Sequence, residues 1–124
     1  MHWAERILSR GTMLYEPISV EKLRAEIAAA CGRMDTRRLR FWEAIRIEPE
    51  KWQHSSEGYG GGGFWAVGQI GQTVTWYNDI EEGFEYSVYQ SRGTVTDHGC
   101  SQFELEWVIE ELIARVCNGQ ESSP

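Results

Sequence analysis

The chain has 124 residues, 41% of them hydrophobic and 25% charged, with a formal net charge of −7. That is enough for one domain with a real core, and the ordinary apolar and charged fractions exclude wholesale disorder. The acidity is lopsided: residues 1–48 hold nine Lys or Arg against seven Asp or Glu, whereas residues 49–124 hold three against twelve. An acidic half repels phosphate, so nucleic acid is not an expected partner; a basic protein would be attracted and its encounter accelerated.

Cys31, Cys100 and Cys117 show no C-x-x-C spacing, which argues against a disulfide framework or structural zinc and for a reducing compartment. No apolar run approaches the ~20 residues of a membrane helix. Met1–Arg10 is broken by Glu5 and Arg6 and lacks the apolar centre of a secretory leader, so a cytoplasmic protein is expected.

Met1–Arg10 has the pattern of a short helix with Trp3, Ile7 and Leu8 on one face. Thr12–Ile18 reads as a connector containing Pro17. Ser19 is placed to cap a helix over about 20–31, whose stripe is Val20, Leu23, Ile27 and Cys31, with Gly32 as a left-handed terminator. Arg33, Arg37, Arg38 and Arg40 form the only basic cluster, read as a solvated connector or as partners for the acidic half. Leu39–Ile47 alternates apolar and polar residues as a half-buried strand does, with Pro49 ending it or marking an edge. Trp52–Gly63, with four consecutive glycines, reads as a long mobile loop.

From Phe64 the pattern is that of strands joined by tight turns. Phe64–Ile70 is apolar on both faces, Gly71-Gln72 suits a two-residue turn, and Thr73–Tyr77 follows. Asn78–Gly83 is the next turn, before a strand over Phe84–Tyr89 and a short last one at Thr94–Asp97. A helix over about 102–117 carries the stripe Leu105, Val108, Ile109, Leu112, Ile113 and Val116, with Ser101 and Glu104 in capping-box spacing. The expected architecture is a single α+β domain over residues 1–119: an antiparallel meander of about five strands with two main helices on one face, a short N-terminal helix, and a disordered tail at 120–124.

No segment names a reaction. The run Tyr59–Gly63 lacks the Lys and Ser or Thr of a phosphate loop and opens a strand, so it reads as a loop that admits close backbone approach. Asp79, Glu81, Glu82 and Glu85 surround one turn, in an order that does not match an EF-hand. No metal or other cofactor is expected there, and the turn reads as an exposed acidic bend suited to Lys or Arg of another protein. Asp97–Cys100 is the most enzyme-like stretch. Cys100 next to a helix N-terminus is a candidate nucleophile with His98 or His54 as base, but Cys100 and Leu105 also suit a hydrophobic staple, the reading favoured here.

If Phe41, Ile45, Val74, Trp76, Phe84, Tyr86 and Val88 pack inward, then Trp42, Thr75, Tyr77, Ser87 and Tyr89 line the opposite face of the sheet. The leading expectation is a non-enzymatic, bacterial, acidic binding module. A basic protein would meet the turn carboxylates and the rings of Trp52, Tyr59, Tyr77 and Tyr89. In size, acidity and aromatic content, and in no motif, the chain resembles bacterial immunity proteins, which bind and neutralise a toxin; a regulatory role fits the same composition. The alternatives are a small enzyme or ligand-binding domain using Cys100 and His98, and a structural homodimer.

Overall fold

The computed structural model describes residues 17–54, 63–79, 81–95 and 103–117. The expected N-terminal helix, Tyr59 with the first three glycines of the run, the Asp97–Cys100 segment and the tail lie outside these residues. The described elements, in chain order, are α1 (Val20–Gly32), α2 (Thr36–Ile45), β1 (Arg46–His54), β2 (Phe64–Ile70), β3 (Thr73–Asn78), β4 (Gly83–Val88), β5 (Thr94–Val95) and α3 (Leu105–Cys117).

Helix α1 forms as its caps and spacing predict. Ser19 Oγ accepts from the Lys22 N–H at 3.1 Å, and Leu23 and Ala30 turn into the core. Gly32 is its last helical residue, not a left-handed cap; Arg33 ends the helix at φ −98, and its N–H bonds back to Ala30 and Cys31.

Leu39–Ile47 is the main departure from the sequence reading. It is helix α2 up to Ile45, capped by Asp35, whose side chain accepts from the Arg38 N–H at 3.0 Å. The alternation was coincidental. The residues that bury are Trp42 and Ile45, three apart on one helical face. Trp42, expected on the outer face of a strand, is in the core. Gly68 makes room for it, since a Cβ at that position would stand 3.2 Å from the indole and 3.5 Å from Ile45 Cδ1.

Strand β1 therefore starts later and runs further than expected. Trp52 and His54 belong to it, not to a loop. Pro49 sits within β1, in the irregular register between Arg46 and Glu50, and β5 pairs only with Gln53 and His54. At Pro49 the outer edge thus has no neighbouring strand among the described residues, so its missing N–H is tolerated.

Strands β1 to β4 form the expected antiparallel meander, but β5 does not extend it. The order is β4-β3-β2-β1-β5, with β5 parallel to β1. Laid flat, β4 and β5 would stand about 19 Å apart, four strand spacings. Only Tyr89–Gly93 joins them, and Gly93 bonds back to Gln53 while Tyr89 bonds to Gln72. Between those two anchors lie four Cα steps, which even fully extended span only about 14 Å. The sheet is accordingly strongly curled, helped by register shifts in β1 and β2 that raise the local twist.

Curling gives the molecule two cores. On the outer face, α1, α2 and α3 pack against Val67, Tyr77 and Phe84 through Leu23, Trp42, Ile45, Leu105, Val108, Ile109 and Leu112. Inside the curl lie Trp52, Phe64, Ala66, Val74, Trp76, Tyr89 and Val95. Register sorts the rings: Tyr77 stands opposite Phe84, and Trp76 opposite Glu85. Val74 and Trp76 thus face away from Phe84 and Tyr86, correcting the single inward set expected from sequence, and Val88 is exposed.

The basic cluster is internal pairing rather than a solvated connector. Arg33 Nε donates to Glu106 at 2.6 Å and its Nη2 to Glu104 at 2.6 Å; Arg37 donates twice to Glu110 at 3.1 Å. Arg38 reaches both Glu110 and Asp35. These pairs fasten the α1–α2 corner to α3. Each is solvent-screened and contributes little alone, though they share carboxylates as a network.

Candidate functional site

Most of the residues expected to meet a partner are inside. Trp52 is 1% exposed, sheltered in the curl with Tyr89 edge-on to it at 5.0 Å. The Tyr89 hydroxyl accepts from Gln69 Nε2 at 2.6 Å and donates to the Gly71 carbonyl at 3.1 Å. Tyr77 is buried on the helix-covered face, edge-on to Phe84 at 5.0 Å. These positions correct the expectation of exposed rings. A sheet covered on both faces buries its aromatics whichever way they alternate.

The acidic bend is corrected in part. It is a turn, as expected, with Glu82 at φ 62. Yet Asp79 is 2% exposed and Glu85 4%, so the two are built into the fold rather than offered to solvent. Asp79 Oδ2 accepts from the Ile18 N–H at 2.7 Å, and Glu85 Oε2 from Asn78 Nδ2 at 2.6 Å. Glu81 is half-buried, its N–H donating to Asn78 Oδ1 at 3.0 Å, and Glu82 is exposed.

The proposed catalytic groups do not assemble within the described residues. His54 is buried in β1 with its ring 6.2 Å from that of Trp76, so it is not a base on a mobile loop. His98, Cys100 and Tyr59 lie outside the described residues. Helix α3 begins at Leu105, and the Glu104 carbonyl accepts from the Trp107 and Val108 N–H groups at 3.0 and 3.3 Å. Phe103 pairs with Phe84 as an antiparallel bridge. The helix thus starts later than the expected 102, Ser101 lies outside the described residues, and the Glu104 carboxylate accepts from Arg33.

Cys31 is half-buried, and that burial raises its thiol pKa, opposite to what a nucleophile needs. Burial also lowers the Lys51 pKa, partly offset by the Asp79 charge; the ammonium lies 4.5 Å over the Trp65 ring. Among the described residues no three His, Cys, Asp or Glu side chains converge as metal ligands would, and no helix is long and apolar enough to cross a membrane.

What the surface does offer lies at the start of α3. Phe103 and Trp107 are 38% and 41% exposed, with ring centroids 3.9 Å apart and planes inclined by 23°. Trp107 is off the buried stripe of α3 and Phe103 stands just before the helix, at its bridge to Phe84, so stacking on each other is how they shed part of their contact with water. Beside them opens a cleft of about 190 Å³ lined by Glu26, Arg33, Tyr77, Glu82, Gly83, Phe84, Phe103, Glu104 and Leu105. Three carboxylates thus face a single guanidinium. Arg33 is spent on Glu104 and Glu106, and its hydrogen bond holds the Glu106 carboxyl below the usual range.

Phe103 and Trp107 lie outside the apolar stripe read from the sequence, which gave them no role. The signal was there: both fall outside the i, i+3, i+4 set that buries. Of the described residues expected to bind a partner, the structure brings two to this cleft, Glu82 and the buried Tyr77. No family model, curated protein or solved structure matches the chain, so the functional reading rests on this geometry.

Proposed function

We propose that this chain is a non-enzymatic acidic binding module that engages a basic protein partner, immunity-like or regulatory in role. The observation that carries the reading is the stacked Phe103–Trp107 pair beside a cleft bordered by Glu26, Glu82 and Glu104. Large rings at the centre of a contact supply most of its affinity once desolvated. Surrounding carboxylates supply charge complementarity and a fast, salt-sensitive encounter with Lys or Arg. The aromatic anchors are thus Phe103 and Trp107 in place of Trp52, Tyr77 and Tyr89.

The test is quantitative capture from the native host with the wild-type chain and with Trp107→Ala, at about 50 mM and about 500 mM salt, which straddle the Debye length of the encounter. The expected result is one basic protein retained by the wild type at low salt and lost both in the variant and at high salt. A captured set indifferent to Trp107→Ala, or recovery of this chain alone, overturns the reading; the second outcome points to the homodimer.

A further inference from the structure

Three of the four arginines around the α1–α2 corner are committed to carboxylates of α3, as described above. Arg40 is exposed and forms no ion pair among the described residues. It stands with Arg37 at the rim of an open groove of about 720 Å³ between α2 and α3, whose other lining residues are Thr36, Phe41, Ile113 and Cys117. The volume falls within the roughly 300–1,000 Å³ of small-molecule sites. The groove is also remote in sequence from the acidic cleft, since it uses the last turns of α3 and the cleft uses the first.

We propose that this groove binds an amphiphilic carboxylate, with its alkyl chain on Phe41 and Ile113 and its head group on the Arg40 guanidinium. The apolar floor gives a wholly polar anion nothing to gain. A neutral or cationic amphiphile would leave Arg40 without a counter-charge or repel it. The fork of N–H donors on arginine matches a carboxylate in shape as well as charge. Arg37 is already held by both oxygens of Glu110, which leaves Arg40 as the head-group contact. The C-terminal end of α3, at Cys117, carries partial negative charge from its last carbonyls and repels an anion. The head group therefore sits toward α2 and the chain runs toward Cys117.

The test is a titration of the full chain, followed through the backbone amides of Phe41, Ile113 and Cys117, with decanoate, decanol and decyltrimethylammonium below their micelle concentrations. Decanoate is expected to shift these amides at the lowest concentration and decyltrimethylammonium at the highest. Octanoate, shorter by two half-buried methylenes, should bind about fourfold more weakly. Arg40→Gln breaks no ion pair, so it should keep the native spectrum and weaken decanoate about fivefold, the strength of one exposed charge pair, with decanol unchanged. Equal response to the cationic and anionic amphiphiles, shifts confined to other residues, or an unaltered decanoate affinity in Arg40→Gln overturns the proposal.

Discussion

Replacing Gly63 with alanine tests the junction on which the inner core depends. Gly63 leads into β2 at φ 76, a backbone region that costs a side-chain-bearing residue about 1–2 kcal/mol. A Cβ there would stand inside contact distance of the Trp52 carbonyl oxygen, 3.2 Å from its carbonyl carbon and 2.8 Å from Gln53 Nε2. The Gln53 amide can swing away, but the Trp52 carbonyl belongs to β1, where Trp52 pairs with Phe64. Relief therefore means displacing a strand whose ring sits in the inner core, and forced repacking of that kind costs a further 1–3 kcal/mol or so. The expected loss is about 3 kcal/mol, read as a lower urea midpoint at unchanged slope. Gly32→Ala is the internal control. A Cβ at the end of α1 meets nothing within 4 Å, so alanine should stabilise by about 0.5–1 kcal/mol. If Gly63→Ala unfolds within about 0.5 kcal/mol of wild type, β1 and β2 do not meet as described.

Two buried hydroxyls should respond in opposite directions. Ser87 Oγ accepts from the buried Trp76 Nε1–H at 3.0 Å, so Ser87→Ala orphans an indole donor and should cost about 1–3 kcal/mol in chemical denaturation. Thr75 Oγ1 is buried with no hydrogen-bond partner among the described residues, so Thr75→Val should leave stability unchanged or raise it by about 1 kcal/mol in the same assay. Asp35→Ala removes the cap of α2 together with the pair to Arg38, and should lower stability by about 1 kcal/mol. The Arg33 hydrogen bond lowers the Glu106 pKa in the folded chain, so the folded state binds fewer protons than the unfolded one near that range. Its contribution is complete above the unfolded value of about 4.3 and is lost as pH falls through the folded one. Urea midpoints should therefore drop on acidification, less steeply in Glu106→Gln than in wild type.

The strands from Phe64 to Val88 were legible because strong β formers alternate with turn residues at short intervals. Helices α1 and α3 were legible because their stripes are long enough to exclude a period of two. Residues 39–47 were not. Leu39, Phe41, Ile45 and Ile47 fit alternation, whereas Leu39, Trp42 and Ile45 fit a helix, and the deciding signal was Asp35 three residues before Arg38. The faces of β3 and β4 depended on register, which the Asn78–Gly83 pairing sets and which composition does not encode. The curl depends on β5 reaching β1, a pairing between distant parts of the chain that no local pattern announces.

The candidate site failed for that last reason. Once the sheet closes on itself, Trp52 and Tyr89 stop being surface rings and become core. Meanwhile the carboxylates expected to be displayed, Asp79 and Glu85, are needed to satisfy an N–H of the α1 approach and a side-chain amide. The exposed rings were instead at the start of α3, where Phe103 just before the helix and Trp107 off its buried stripe remain partly in water.

Placing a photoreactive benzoylphenylalanine at position 107, and in a second variant at Val88, tests the docking claim most directly. Val88 is another exposed hydrophobic residue, at the end of β4 and outside the lining of the acidic cleft. Irradiated at low salt in host extract, the chain labelled at 107 should cross-link one basic protein, and the chain labelled at 88 should not. Cross-linking of that protein from 88 but not from 107 would contradict the account.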